Sequence, residues 1–359
     1  MCAARPIICF HQAKDFVPHC QKTVVREYDR SRLHIAEKFA SSMQMVMEYF
    51  DEVTFDRAGT LLGDYAVTNA PVLVRRDGML IKFGGAVEDY WAGQAIDDQC
   101  MTPALKAFFE DVKANWDSLP FVEHEPVLYH PYHSNYFHWS LEAIPSQRMF
   151  GAWQSNKILV PSVCLEVQFQ KSLLARTAGS NIFSPVQSGA IVRNPILASA
   201  SMSEEGVWWL RRRAGIVTAS GRRRIYLRRS AKGTRKGGSG GLSESQEFLD
   251  FLAQNGFETV DFGDRELRID EQVNMLDGAA VILAPHGAAL TNLAYLSPPL
   301  SVIEVLGCMT PRAFFMHISS MCGFDHHVVF SSVYDNDRNV VVDVNDLRDA
   351  LANCDPPRQ

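Results

Sequence analysis

Short apolar runs alternate with amphipathic stretches along the second half of the chain. Apolar runs at residues 225–227, 257–262, 280–283 and 301–305 predict four strands. The stretches between them predict three helices, at 243–256, 271–276 and 288–296, the first with Ser243 and Gln246 as a capping box and Gly256 as its stop. Because the strands are almost wholly apolar and alternate with helices, we predict a parallel sheet covered on both faces. That is a doubly wound α/β architecture.

The first half of the chain has a weaker pattern of the same kind. Apolar runs predict strands at 72–74, 80–83, 127–129, 158–160 and 190–192, and amphipathic stretches predict helices near 34–50, 103–113 and 140–150. We interpret this half as a second α/β domain. The sequence changes from apolar to basic around 200–222, and a glycine-rich stretch follows at 233–241. The predicted domains are therefore 1–205 and 206–332, with a C-terminal tail helix in 333–359.

Composition limits the class of protein. The chain is 47% hydrophobic and 21% charged, as ordinary globular proteins are. No apolar run approaches the roughly 18 residues of a membrane span, and the short apolar run near the N-terminus predicts no signal peptide. The eight cysteines form no CxxC pair, and the sequence contains no Asn-x-Ser/Thr sequon. We therefore expect a protein of a reducing compartment, in the cytoplasm.

Charge is distributed unevenly along the chain. The net charge is −6, yet residues 211–236 contain eleven Lys and Arg and no acid. Such a segment favours anionic partners such as phosphates, nucleic acid or an anionic membrane surface, although a basic run is also commonly a solvated face. Nucleic acid is disfavoured because Tyr226 is the one aromatic residue within the basic segment and the whole chain is acidic. A peripheral contact with the inner face of the membrane remains an expectation for this segment.

The sequence VILAPHGAALTN, residues 281–292, has the pattern of a buried strand that ends in a tight turn before a helix. His286 lies at the predicted carboxyl end of the strand, where open α/β sheets bind their ligands. The small residues Gly287, Ala288 and Ala289 allow a ligand to approach the backbone, where free N–H groups favour phosphate. The alternative is a tight structural turn with a packed histidine.

The sequence RRIYLRRS, residues 223–230, predicts another strand that ends in positive charge. Arg228 and Arg229 should emerge at the same edge of the sheet as His286. Guanidinium groups bind diphosphates with two parallel hydrogen bonds and keep their charge. Glu304, in the fourth strand, is placed to accept hydrogen bonds from a ribose, although a buried acid in a strand is also commonly structural.

Three histidines cluster in the stretch HPYHSNYFHW, residues 130–139. A metal site would need His130, His133 and His138 to share a face, and Glu142 is the only acid nearby. Packed histidines are a second interpretation. The third is the wall of a binding cleft, in which a histidine acts as a general base. We favour the cleft over the metal site.

These motifs together resemble those of glycosyltransferase family 61. The resemblance runs through SNYFHWSLEAIP, IYLRR, DEQVNML, APHGAALTN and VIEV in that order and covers about residues 125–305. It implies a GT-B-type fold, with two Rossmann-like domains that face each other across a cleft. It also implies a nucleotide-sugar donor bound by the C-terminal domain and an inverting, metal-independent transfer, so no metal and no other cofactor is expected.

The resemblance and the motifs assign roles to individual residues. We expect His138 to be the general base, with Glu142 one helical turn later as its orienting group or its replacement. The expected donor-binding residues are Arg229, Arg235, His286, Gly287, Ala288, Ala289, Asn292 and Glu304. The expected acceptor-side residues are His133, Asn135 and Trp139.

The predicted function is the transfer of a sugar from a nucleotide-sugar, most simply UDP-linked, to a glycan or lipid-linked saccharide. Cell-surface polysaccharide such as capsule or lipopolysaccharide is the expected product. The alternative within the same fold is a non-catalytic protein that binds nucleotide-sugars or acts as a scaffold.

Overall fold

The computed structural model describes residues 8–10, 21–24, 30–44, 54–57, 65–67, 72–74, 80–83, 87–89, 94–96, 120–123, 125–128, 130, 134–150, 157–179, 181–187, 190–193, 196–198, 202–229, 241–263, 267–308 and 313–354. The chain divides into two compact units. The first comprises residues 1–23 and 55–213, and the second comprises 24–54 and 214–359. The sequence predicts a boundary at 205/206 and places residues 24–54 in the first domain, and the structure differs in both respects.

The strands of the first half of the chain are short. They are β1 (Ile8–Phe10), β2 (Gln21–Val24), β3 (Leu33–Ile35), β4 (Thr54–Arg57), β5 (Tyr65–Val67), β6 (Val72–Val74), β7 (Leu80–Phe83), β8 (Val87–Asp89), β9 (Gln94–Ile96), β10 (Phe121–Glu123), β11 (Pro126–Val127), β12 (Lys157–Pro161), β13 (Ile182–Val186), β14 (Ala190–Arg193) and β15 (Ile196–Ala198). The predicted strands at 72–74, 80–83, 158–160 and 190–192 are confirmed.

The first unit contains two five-stranded mixed sheets. One has the order β1-β7-β6-β14-β10, and the other has the order β13-β12-β11-β15-β5. In the second sheet the pairs β12–β13, β11–β12 and β11–β15 are parallel, and β5 joins β15 antiparallel. The predicted α/β character of this half is therefore confirmed.

The helical stretch predicted near 140–150 is a series of different helical turns. It begins with α1 (Tyr136–His138), continues as a π-helix (Trp139–Ala143) and a 3₁₀ turn (Ile144–Ser146), and ends with α2 (Gln147–Phe150). Asn135 caps its start, accepting a hydrogen bond from the backbone N–H of Phe137 at 2.9 Å. Pro145 has no N–H to donate back into the preceding turn, which explains why a regular α-helix does not continue through it.

Two further helices belong to this part of the chain, α3 (Gln168–Thr177) and α4 (Glu204–Ala214). The predicted helix at 103–113 lies outside the described residues. The helix predicted from residue 34 is wrong at its start, because residues 33–35 form strand β3 and a 3₁₀ turn follows at Glu37–Phe39. β3 extends a sheet of the second unit, so its pairing outweighs the helical pattern of the sequence.

The second unit contains the predicted parallel sheet. Its strands are β16 (Arg223–Arg228), β17 (Phe257–Asp261), β18 (Ala279–Pro285), β19 (Ser301–Gly307) and β20 (Asp325–Ser331), and with β3 they form the order β17-β16-β18-β19-β20-β3. Every neighbouring pair is parallel. β19 is buried along its whole length, as expected for a central strand covered on both faces.

The helices of the second unit cover this sheet. They are α5 (Gln246–Gln254), α6 (Ile269–Met275), a 3₁₀ helix (Ala288–Tyr295), α7 (Phe314–Cys322) and α8 (Val344–Cys354). The predicted capping residue of α5 is wrong by two positions, because Ser245, not Ser243, accepts the hydrogen bond from the N–H of Phe248. The segment predicted as a helix at 288–296 has the tighter 3₁₀ geometry.

The core of this unit lies between the sheet and its helices. Tyr226, Leu283 and Ile303 from three neighbouring strands pack in one cluster with Phe248 of α5 and Leu347 of α8. The predicted tail helix is therefore part of this core. None of the helices in the described ranges is long and apolar enough to cross a membrane.

Helix α5 offers a direct test of this packing. Leu252 is 5% exposed and belongs to the core cluster, whereas Leu249 on the same helix is 41% exposed. We expect Leu252→Ala to lower the free energy of unfolding by about 2–5 kcal/mol, since it removes buried methyl groups and leaves a cavity. Leu249→Ala should change it by less than about 0.5 kcal/mol. Urea unfolding of the two variants measures the difference, and equal losses would contradict the placement of α5.

Candidate functional site

The strand order of the second unit defines a place for a ligand. The chain passes from β16 outward to β17 and then crosses to the other side of β16 to form β18. The order therefore reverses between β16 and β18, and open α/β sheets bind ligands beyond the carboxyl ends of strands at such a switch point. Arg229 follows β16, and His286 and Gly287 follow β18. The structure thus brings together the two motifs that the sequence predicted at one edge.

Arg229 holds the two strand ends together. Its Nη1 donates a hydrogen bond to the carbonyl oxygen of His286 at 3.1 Å. A Cβ added to Gly287 would lie 3.4 Å from the same nitrogen, at ordinary van der Waals distance, so Gly287 lies directly against the guanidinium. Gly287 has an extended backbone with φ 173°, which any residue adopts. The backbone conformation of Gly287 therefore does not require glycine at this position.

The charge of Arg229 has no carboxylate partner among the residues that the structure describes. Burial lowers the pKa of its guanidinium. The neighbouring Arg228 differs, because its Nη2 lies 2.7 Å from the Oε2 of Glu244 in an exposed ion pair. Successive residues of an extended segment point to opposite sides, which explains the separate environments of these two neighbours. A partly buried cation without a counter-ion favours an anionic ligand.

The backbone beyond Gly287 adds donors to this site. The 3₁₀ helix at 288–295 begins there without a side-chain cap. The first N–H groups of a helix lack partners within the helix and favour an anion. Ala288 and Ala289 carry the smallest side chains that a chiral residue can have, so a ligand can approach them closely.

Asn292 has a different place from the one we expected. It is fully buried, and its Nδ2 donates to the carbonyl oxygen of Ala289 at 3.0 Å and lies 3.4 Å from Oε1 of Gln272. These contacts brace the first turn of the 3₁₀ helix. A direct contact of Asn292 with the donor is therefore not supported by the geometry.

Glu304 also has a different environment from the expected one. Its carboxylate is completely buried, with Oε1 at 2.6 Å from His286 Nδ1 and Oε2 at 3.0 Å from His326 Nε2. Burial alone would raise its pKa, but the hydrogen bonds and charges of the two histidines outweigh burial and lower it to about 2. Because both oxygens are occupied and neither is exposed, the expected contact with a ribose disagrees with the structure.

His138 and Glu142 are brought together in the first unit. Nδ1 of His138 lies 2.5 Å from Oε2 of Glu142, and Nε2 of His130 lies 2.8 Å from the same oxygen. The two imidazole rings stack with their centroids 5.0 Å apart. Burial would raise the pKa of Glu142, but its hydrogen bonds to both histidines lower it, whereas burial lowers the pKa of His130.

The same three side chains have the composition of a metal-binding set. Their ligand atoms lie within 4.8 Å of one another. Two imidazoles and a carboxylate suit zinc and similar ions. The hydrogen bonds to one shared oxygen account for the same geometry without an ion, so the set is compatible with either interpretation. It lies partly in the π-helix, and such turns are frequent at functional sites.

The expected acceptor-side residues do not form one surface. Trp139 is fully buried, so an exposed contact with an acceptor is ruled out by its position, and its Nε1 has no hydrogen-bond partner in the described part of the chain. Asn135 is half-buried and uses its side-chain oxygen as the helix cap. His133 and Arg235 lie outside the described residues.

Two residues of this region were missed by the sequence analysis. His326 contacts Glu304, and Ser319 Oγ lies 2.8 Å from Nδ1 of His326. The sequence feature that could have indicated His326 is the apolar run after His326 and His327, because such a run predicts a further strand of the parallel sheet. That strand is β20.

Comparison with known protein families identifies the class. Residues 136–303, which are 168 of the 359 residues, match the family model described as Glycosyltransferase 61. The match covers a little less than half of the chain and identifies this segment as a glycosyltransferase domain. The matched region, which belongs to glycosyltransferase family 61, contains both the His138–Glu142 pair and the Arg229–His286 turn.

Other comparisons add nothing to this assignment. No curated protein matches the chain. Among solved structures, a thiosulfate sulfurtransferase from Pseudomonas aeruginosa is similar over 65% of this chain and 44% of its own, at 10% identity and a TM-score of 0.17. The chain thus spans less than half the length of that protein, and a score so low carries no argument about fold or function.

The environments of the two adjacent arginines predict different effects on anion binding. We expect Arg229→Ala to weaken UDP binding by about 1.5–3 kcal/mol, the cost of losing a charge-assisted hydrogen bond. Arg228→Ala should have a smaller effect, because Arg228 already pairs with Glu244. Isothermal titration calorimetry with UDP compares the two variants. The reverse order would place the anion site on the other side of β16.

Proposed function

We propose that this protein is a glycosyltransferase, which transfers a sugar from a nucleoside-diphosphate donor, UDP in the simplest case, to a hydroxyl group of a glycan or lipid-linked saccharide. The observation that carries the proposal is the charge of Arg229, which lies without a carboxylate partner among the described residues at the switch point of the sheet. A diphosphate supplies the missing counter-charge. The uncapped start of the 3₁₀ helix supplies further N–H donors for it.

The proposed reaction is a direct displacement. The acceptor hydroxyl oxygen forms a bond to the anomeric carbon of the sugar while the bond from that carbon to the diphosphate oxygen breaks. The electron pair leaves with the nucleoside diphosphate, and the hydroxyl proton passes to a base on the protein. One displacement inverts the configuration of the anomeric carbon. Arg229 and the turn at 286–288 would stabilise the charge that develops on the departing diphosphate.

His138 is the base that we propose, with Glu142 as its orienting group. The side chain of His138 is 22% exposed, against 6% for His130, so its ring is the more accessible of the two. The contact between Nδ1 and Glu142 fixes which nitrogen carries the proton and directs Nε2 to accept another. In this proposal no metal takes part, and His130 contacts the same carboxylate oxygen as His138 does.

The wider setting of the enzyme is part of the proposal. The GT-B arrangement and a role in cell-surface polysaccharide synthesis rest on the resemblance to the family. A contact with an anionic membrane surface through residues 211–236 is supported by the exposure of Arg212 and Arg222 within the described part of that segment.

Binding of UDP without a metal is the first test. We expect UDP at a hundredfold excess over its dissociation constant to stabilise the native protein by about 2.7 kcal/mol in the presence of a chelator. Thermal unfolding with and without UDP measures this stabilisation, and Arg229→Ala is the matched control that should lose most of it. A shift that requires manganese or magnesium, and disappears with chelator, would contradict the metal-free site.

Replacement of the proposed base is the second test. His138→Ala should lower turnover by roughly 10² to 10⁴. It should leave UDP affinity nearly unchanged, because the residues proposed to hold the diphosphate are intact. Steady-state release of UDP from a panel of UDP-sugars measures turnover, and calorimetry measures affinity. Wild-type turnover in a folded His138→Ala variant would make His138 a packing residue.

Glu142→Gln distinguishes the two possible bases through their pH dependence. A base must be deprotonated to act, so activity is present at high pH and is lost as the pH falls through the pKa of that group. Glu142 has a pKa below its usual range. If Glu142 is the base, activity should persist to more acidic pH than an imidazole base would allow, and Glu142→Gln should abolish it.

A further inference from the structure

We propose that Ser319 and His326 are positioning residues, which act through Glu304 to hold His286 with its Nε2 directed at the diphosphate. The proposal rests on the donor site described under Proposed function. It concerns a continuous chain of contacts in the second unit: Ser319 Oγ to His326 Nδ1 at 2.8 Å, His326 Nε2 to Glu304 Oε2 at 3.0 Å, and Glu304 Oε1 to His286 Nδ1 at 2.6 Å.

The chemistry of the groups fixes the direction of these hydrogen bonds. Glu304 is ionised, since its pKa is lowered to about 2, and an ionised carboxylate only accepts. His326 therefore donates from Nε2 and His286 donates from Nδ1. In a neutral His326 the other nitrogen accepts, and the hydroxyl of Ser319 is the donor at that position. Each member of the chain thus determines the proton position of the next.

This series of hydrogen bonds runs from the protein interior towards the switch point of the sheet. The side chains of Glu304 and His326 are 0% and 2% exposed, whereas that of His286 is 13% exposed. Nε2 of His286 has no hydrogen-bond partner among the described residues. The ring also contacts Phe315 of α7, with centroids 5.0 Å apart, so its plane is held from a second side. His286 is therefore an oriented imidazole with one nitrogen unpaired among the described residues, and its backbone carbonyl accepts the hydrogen bond from Arg229.

A buried carboxylate with two histidine partners is costly unless every hydrogen bond is made. The neighbouring His327 provides a contrast on the same strand. Its side chain lies on the opposite face of the sheet, where it stacks with His34 at 4.4 Å, and its buried Nε2 has no partner. On strand β20, both ring nitrogens of His326 are therefore hydrogen-bonded, whereas Nε2 of His327 is buried without a partner among the described residues. This difference points to a role for His326 beyond packing.

Replacements of His326 and His327 form the test, with UDP and inorganic pyrophosphate as the probes. Pyrophosphate reports the diphosphate site whichever base the donor carries. We expect His326→Leu, which cannot donate to Glu304, to weaken binding of both probes by about 10- to 100-fold, by analogy with the groups that orient metal-binding histidines. His326→Gln, whose amide can replace the Nε2 donor, should recover most of the affinity. His327→Leu should bind both probes as the wild type does.

Calorimetry and thermal unfolding of the same variants separate positioning from simple destabilisation. A purely structural role would lower the free energy of unfolding and leave the affinity of the folded protein for both probes unchanged, because a protein that remains folded binds with its native affinity. If His326→Leu does not fold, Ser319→Ala removes a single hydroxyl and is expected to lower the affinity for pyrophosphate, with recovery in Ser319→Thr.

The outcomes distinguish this inference from the function on which it rests. Wild-type protein that binds neither UDP nor pyrophosphate would overturn the proposed donor site and the inference with it. Wild-type protein that binds both, together with a folded His326→Leu or Ser319→Ala that binds equally well, would overturn the positioning role alone.

Discussion

The hydrogen bond from Arg229 to the carbonyl oxygen of His286 joins the ends of the two strands between which the strand order reverses. It forms only because β16 and β18 are parallel neighbours in register, with Tyr226 opposite Leu283. The bond occupies one nitrogen of the guanidinium and leaves its charge without an acidic partner in the described part of the chain. The proposed anion site depends on that arrangement, since the same contact that orders the turn also places positive charge beside it.

The first and second units each contain a carboxylate that two histidines share. Glu142 is contacted by His130 and His138, and Glu304 by His286 and His326. The two differ in burial, because Glu304 is fully enclosed and the side chain of Glu142 is 15% exposed. The folded-state pKa of Glu304 is about 2, below its ordinary value of 4.5, so its contribution to stability is present above pH 4.5 and is lost as the pH falls towards 2.

The sequence predicts the parallel sheet well because its strands are buried on both faces and are therefore nearly continuous apolar runs. The turn after β18 could also be predicted, since a proline, a histidine and a glycine follow one such run. Strand β3 could not be predicted from the sequence. It has three residues, too few to show a strand periodicity beside the adjoining amphipathic pattern, which favours a helix. Its place depends on pairing with β20, nearly three hundred residues later in the chain.

The candidate site is predicted in its composition and not in its internal contacts. The motifs named His286 and Glu304, but no local pattern indicates that the two side chains meet, because they belong to different strands. The burial of Trp139 was missed for a related reason. A tryptophan beside polar residues is typical of a surface contact, but in the π-helix its side chain is buried in the core.

The central claim is that a diphosphate supplies the negative charge that pairs with Arg229, which has no carboxylate partner among the described residues. A crystal structure of the protein with UDP, grown in the presence of a chelator, tests it most directly. The account predicts phosphate oxygens within about 3 Å of the Arg229 guanidinium and of the backbone N–H groups that begin the 3₁₀ helix at 288–295. A diphosphate bound elsewhere on the protein, with Arg229 still turned only to the carbonyl of His286, would contradict it.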